Sequence, residues 1–160
     1  MKFRRLRRDE LEEVRDQFVK FLGVNGIDAG SWQKMKEDTP ARADELIVQF
    51  SQMVFTGVIE QVAYLIHRKP NDLRTYKTGP DKIEMRGIYL DGSTSIDFTK
   101  DHDIPAAEMF ARIKAEGTTP KIYSAERVYI PDGRDKDIFN LMEGGALIDQ
   151  GELFEALASL

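Results

Sequence analysis

The stretch from Pro40 to Arg68, PARADELIVQFSQMVFTGVIEQVAYLIHR, constrains the chain more than any other. Leu46, Ile47, Phe50, Met53, Val54, Val58, Val62 and Leu65 recur at intervals of three and four, the spacing of a helix with one wide buried face. Thr39 is placed to cap its start, and Pro40 suits the first turn because its missing N–H would be unpaired there anyway. Pro70 disfavours helical angles at Lys69, which predicts a stop near Arg68. A straight helix of that length runs about 43 Å, against a radius of gyration of about 15 Å for a compact chain of this size. Such a helix is a spine on which the remaining elements must pack.

At 160 residues, with 41% apolar and 32% charged, the expectation is one globular domain over residues 1–160 with a real core. There is no cysteine, hence no disulfide, thiol nucleophile or thiolate metal site. No apolar run reaches the length of a membrane span, and the N-terminus lacks the apolar centre of a signal peptide. A cytoplasmic location without membrane insertion is expected. The net charge of −5 conceals an asymmetry, because Lys2, Arg4, Arg5, Arg7 and Arg8 sit among the first eight residues of an otherwise acidic chain. An acidic body with a basic tip is not the footprint of a general nucleic-acid binder.

After that tip, DELEEVRDQFVKFL predicts an amphipathic helix over about 9–22, its first turn crowded with acids that favour the positive end of the helix dipole. A short helix follows, with Ser31 as cap and Trp32 and Met35 filling the gap between its neighbours. The period then changes. LRTYKT, Gly-Pro-Asp, KIEMRGIYL, Asp91-Gly92 and STSIDF predict a three-stranded antiparallel meander over 73–98. The apolar phase flips at Gly87, which predicts a bulge or bend. Further on, IPAAEMFARIKAEG predicts a helix, KIYSAERVYI a strand at 121–130, and the remainder two short helices split by Gly144-Gly145, the last with Leu153, Phe154 and Leu157 inward. The expected fold class is α+β: an N-terminal helical hairpin, a long central helix packed on a small antiparallel sheet, and short C-terminal helices.

The basic tip KFRRLRR is the most unusual local composition. Phe3 and Leu6 can anchor an arm that presents Lys2, Arg4, Arg5, Arg7 and Arg8 to phosphate or an acidic partner. In the alternative reading, the arginines pair with the acid-rich first helix. Asp97, Asp101, His102 and Asp103 form the densest polar cluster, chemically able to hold a divalent cation. Their spacing matches neither a calcium loop nor a zinc helix, and the plainer expectation is a solvated loop in which Asp103 caps the next helix. His67 is expected at the C-terminal end of the long helix, where a cation complements the dipole. The basic run Arg68–Arg86 places Arg74, Tyr76 and Arg86 on one sheet face if its strands pair, either to bind an anionic partner or to guard an edge strand. Nucleophile elbows and phosphate-binding loops are absent from the sequence, and no cofactor is implied.

FRRLRRDELEEV, FVKFLGVNGIDAGSWQKMK, YLIHRKPNDLRTYK, GPDKIEMRGI and DIFNLMEGGALI resemble, in the same order, a family of short bacterial proteins of unknown function. The resemblance spans most of the chain and carries no catalytic residues with it. The leading expectation is a non-enzymatic module that docks a protein or ribonucleoprotein partner. The alternatives are a Mg²⁺-dependent hydrolase or nuclease using the Asp97–Asp103 cluster, and a structural homodimer joined through the long helix or the Leu153–Leu160 helix.

Overall fold

A computed structural model describes residues 2–92, 94–100 and 102–160. The chain divides into two compact units, Met1–Glu60 and Gln61–Leu160, and its class is α+β.

The first unit is helical: α1 (Arg8–Glu13), α2 (Arg15–Val24), α3 (Ala29–Asp38) and α4 (Pro40–Glu60). The expected helix over 9–22 is present but broken at Val14, which sits at φ −108° and ψ 25°. Asp28, not Ser31, caps α3, its carboxylate accepting from the Ser31 N–H at 2.7 Å. That puts an acceptor against an otherwise unpaired N-terminal donor. Thr39 turns its hydroxyl back to the Met35 carbonyl at 3.2 Å, closing α3 rather than capping α4. The core of this unit joins Leu6, Phe18, Leu22, Leu46, Ile47 and Phe50. Trp32 stands edge-on to Phe18, with ring centroids 5.2 Å apart.

The spine helix is shorter than its periodicity predicts. α4 stops at Glu60, and Tyr64–Lys69 is strand β1. Leu65 and Ile66 are consecutive and both buried, which a strand covered on both faces allows. The β1 backbone is satisfied by six register positions against β2 (Asp72–Thr78) and three against β5 (Leu147–Asp149). A short apolar run fits either period, and the ladder decides. His67 is therefore mid-strand rather than at the end of α4, with its ring beside Gly145.

The second unit is built on an antiparallel sheet of order β4-β3-β2-β1-β5, with β3 at Lys82–Leu90 and β4 at Pro120–Val128. Pro70-Asn71 closes the β1–β2 hairpin and Gly79-Pro80-Asp81 the β2–β3 hairpin. The meander is thus β1-β2-β3, and its third strand is not STSIDF. Residues 94–98 form a loop instead, in which Phe98 is fully buried and donates its N–H to the Pro70 carbonyl at 3.0 Å. β3 pairs instead with β4, beyond helix α5 (Ala106–Ala115). Pro105, rather than Asp103, stands at the N-cap of α5. Helices α6 (Arg134–Glu143) and α7 (Glu152–Ala158) flank the short β5.

Strand alternation gives the sheet two faces. On one, Ile66, Leu73, Ile88 and Leu90 meet Met109 and Ile113 of α5 and Leu153 and Leu157 of α7. The inward-facing residues expected on the last helix are buried there, so its apolar stripe is spent inside the unit. The other face carries the polar groups described next.

Candidate functional site

Three ladders place the second face's side chains in rows across the sheet. One row reads Lys121, Tyr89, Asp72, Lys69, from β4 through β1. The next reads Tyr123, Gly87, Arg74, His67. Lys69, Arg74 and Lys121 are exposed, and Asp72, Tyr89, Tyr123 and His67 are half-buried. At the far end of this face, Arg127 grips the buried Asp137 of α6 through two hydrogen bonds, at 2.6 and 2.8 Å.

Gly87 organises the second row. A Cβ built there would stand 2.1 Å from Tyr123 Cζ, far inside van der Waals contact. The Tyr123 ring therefore lies across β3, from β4 toward β2, over the one residue without a side chain. No bulge accompanies the glycine, because the β2–β3 register runs unbroken from Asp72↔Tyr89 to Thr78↔Ile83. The expected bend is instead a close approach of a ring to the backbone. At its tip, the Tyr123 hydroxyl donates to Asp72 Oδ1 and accepts from Arg74 Nε at 3.3 Å. Arg74 Nε also stands 3.4 Å from Asp72 Oδ2.

Burial, then the bond to Asp72, pushes the Tyr123 phenol up to about 12, with Arg74 opposing. A phenol raised above its ordinary value of 10.0 holds its proton more tightly when folded. Its contribution to stability is complete below about pH 10 and is lost as pH rises toward about 12. In a spectrophotometric titration of the five tyrosines, the last-ionising component is expected to vanish in Tyr123→Phe and to move down in Asp72→Asn. A wild-type curve unchanged by both substitutions contradicts this placement.

The expected trio of Arg74, Tyr76 and Arg86 is divided by the register. Arg74 and Tyr76 share this face, but Arg86 lies opposite Thr75 on the other, its guanidinium 5.4 Å from the Phe154 ring. β2 is interior to the sheet, so its basic residues guard no edge. Lys69, Tyr89, Lys121 and Tyr123 were beyond sequence reasoning because the row needs the β3–β4 pairing, which spans an intervening helix.

The basic tip is seated within the first unit. Phe3 and Leu6 are buried at 2% and 5% exposure, and Leu6 N–H donates to Ser51 Oγ at 2.8 Å. Phe3 and the Gln52 amide exchange two hydrogen bonds, at 2.8 and 3.1 Å. Arg4 binds Glu10 through both guanidinium nitrogens, at 2.6 and 2.8 Å. That pairing, followed by the Arg7 N–H, holds the Glu10 carboxyl down at about 2. Arg5 pairs with Asp44 at 2.9 Å, Lys2 lies 5.4 Å from the Phe3 ring centroid, and Arg7 precedes α1 as its N-cap. Arg8 joins Arg15 and Lys36 around a cleft of about 890 Å³ floored by Leu11, Phe18 and Trp32.

In the acidic cluster, Asp97 Oδ1 accepts from the Thr99 N–H at 2.9 Å and from the Thr99 hydroxyl, a local turn that lowers its pKa. His102 contacts the Thr99 carbonyl and Asp103 is exposed. Asp101 lies outside the described residues. Among the described residues, no three His, Cys, Asp or Glu side chains are grouped to hold a metal ion, and no helix is long and apolar enough to cross a membrane.

A family model, "Family of unknown function (DUF6495)", matches residues 1–160. The chain belongs to the DUF6495 family. Comparison with curated proteins and with solved structures finds no match. The two rows on the sheet are thus a candidate site of this DUF6495 protein read from its own chemistry.

Proposed function

We propose that this DUF6495 protein is a non-enzymatic interaction module that takes a short acidic segment of a partner protein on the open rows of its sheet. The observation behind this reading is the convergence of Lys69, Arg74 and Lys121 around Tyr89 and Tyr123 on one face of a chain with net charge −5. Charged donors on a sheet suit carboxylates, and half-buried aromatic rings cover apolar side chains between them. The overall negative charge repels a long polyanion, so the partner's acidic groups have to be few and local. Asp72 and Tyr123 hold Arg74 in place, which lowers the ordering cost of binding.

The test is a tagged pull-down from native lysate, with and without nuclease, repeated with Arg74→Ala/Lys121→Ala and with Lys20→Ala as control. A stoichiometric protein is expected to survive nuclease, and its affinity for the double variant to fall at least about tenfold. A charge-assisted hydrogen bond is worth about 1.5–3 kcal/mol, and about 1.4 kcal/mol is tenfold. Capture that nuclease abolishes points to RNA, and capture indifferent to the double variant places the binding surface elsewhere.

A further inference from the structure

β4 is an outer strand of the sheet, nine residues long and exposed along most of its length. Ile122 and Val128 are 43% and 75% exposed, both on the face opposite Tyr123. Outer strands are ordinarily guarded against pairing by charge, but two of the three charges on β4 are paired within their own chain. Glu126 binds Lys82 at 2.9 Å and Arg127 binds Asp137 at 2.6 Å.

We propose that β4 pairs antiparallel with β4 of a second copy about a two-fold axis at Ala125, joining two five-stranded sheets into one. The side chains select that register. With the axis at Ala125, Ile122 stands opposite the second copy's Val128, Tyr123 opposite its Arg127, and Ser124 opposite its Glu126. Each pairing occurs twice, and the apolar pairs cover each other. Moving the axis to Ser124 sets Lys121 against Arg127 and Ile122 against Glu126. Moving it to Tyr123 sets Ile122 against Ser124 and carries Val128 past the end of the partner strand. An apolar cleft of about 470 Å³, lined by Ile88, Phe110, Ile113 and Ile122, adjoins the place where the second copy's Val128 arrives. The joined sheet is independent of the acidic-segment reading, and it would set the two copies' polar rows along one continuous face.

The absence of cysteine allows a register-specific test. Residues directly opposite in an antiparallel pair have Cα atoms about 4.5–5.5 Å apart, within the span of a disulfide. Ala125→Cys is therefore expected to oxidise to a covalent dimer on a non-reducing gel. Ser124→Cys and Glu126→Cys, treated identically, are expected to remain mostly uncrosslinked. Light scattering of the wild-type chain at high micromolar concentration is expected to give twice its 18.3 kDa mass. Ile122→Glu/Val128→Glu is expected to return the monomer mass with an unchanged circular dichroism spectrum. A monomeric wild type overturns the proposal. So does a dimer that crosslinks equally at the three positions, or one that the double glutamate variant leaves intact.

Discussion

Phe3→Ala is expected to destabilise the helical unit by about 3–5 kcal/mol, the usual cost of emptying a buried aromatic site. Phe3 is only 2% exposed, its ring lies 5.8 Å from that of Phe55, and its backbone is fastened to the Gln52 amide at both N–H and carbonyl. Truncation removes the ring while leaving those hydrogen bonds to hold the N-terminal segment, so collapse into the vacated space is limited. Arg5→Ala supplies the contrast. Its partner Asp44 is 57% exposed and Arg5 itself 50%, and a solvated pair of that kind contributes about 0–1 kcal/mol. Denaturant melts of the two variants separate a seated arm from a frayed one. A Phe3→Ala midpoint within error of wild type would mean that the tip is not held on α4. A large Arg5→Ala loss would mean that its charges, rather than its apolar residues, hold it.

Gly87→Ala is expected to cost about 1–3 kcal/mol, the range for forcing extra volume into an occupied space. The added methyl would sit 2.1 Å from Tyr123 Cζ and 2.5 Å from its hydroxyl oxygen, so the ring has to leave β3. Its departure takes with it the bond to Asp72 and the contact with Arg74. The Tyr123 phenol should then fall from about 12 toward its ordinary value. A double-mutant cycle isolates the cause. In a Tyr123→Ala background the same glycine substitution should be neutral or slightly stabilising, because the three atoms nearest the added methyl all belong to the Tyr123 ring and alanine is less costly than glycine to order in a strand. An equal penalty in both backgrounds would assign the effect to the backbone and remove the ring from the account.

Both experiments concern residues that the sequence marked without explaining. Phe3 and Leu6, interleaved with arginines, read as anchors, and they are buried. Gly87 read as a bend because the apolar phase flips there. The structure gives the flip another origin: Ile83 and Ile88, on opposite faces of one strand, are both buried. The candidate site was legible only in part. Arg74 and Tyr76 were placed together correctly by their spacing of two, whereas Arg86 was set on the wrong face because the β2–β3 register was unknown. Nothing within the local sequence joins Lys69 to Lys121.

What the sequence by itself determined are the features decided within a turn or two of chain. Proline at the first position of α4, acids in the first turn of α1, the Gly-Pro-Asp connection of β2 to β3, and the three-and-four spacing of α5 and α7 all act between residues a few positions apart. The tertiary structure alone decided where α4 ends, that Tyr64–Lys69 is a strand, that β4 rather than residues 94–98 completes the ladder beside β3, and which side chains share a row. The segment YLIHRK opens on only three apolar residues, too few to separate a helix from a strand. Its backbone is committed only when β2 and β5 arrive to receive its hydrogen bonds, one from close by in the chain and the other from about eighty residues away.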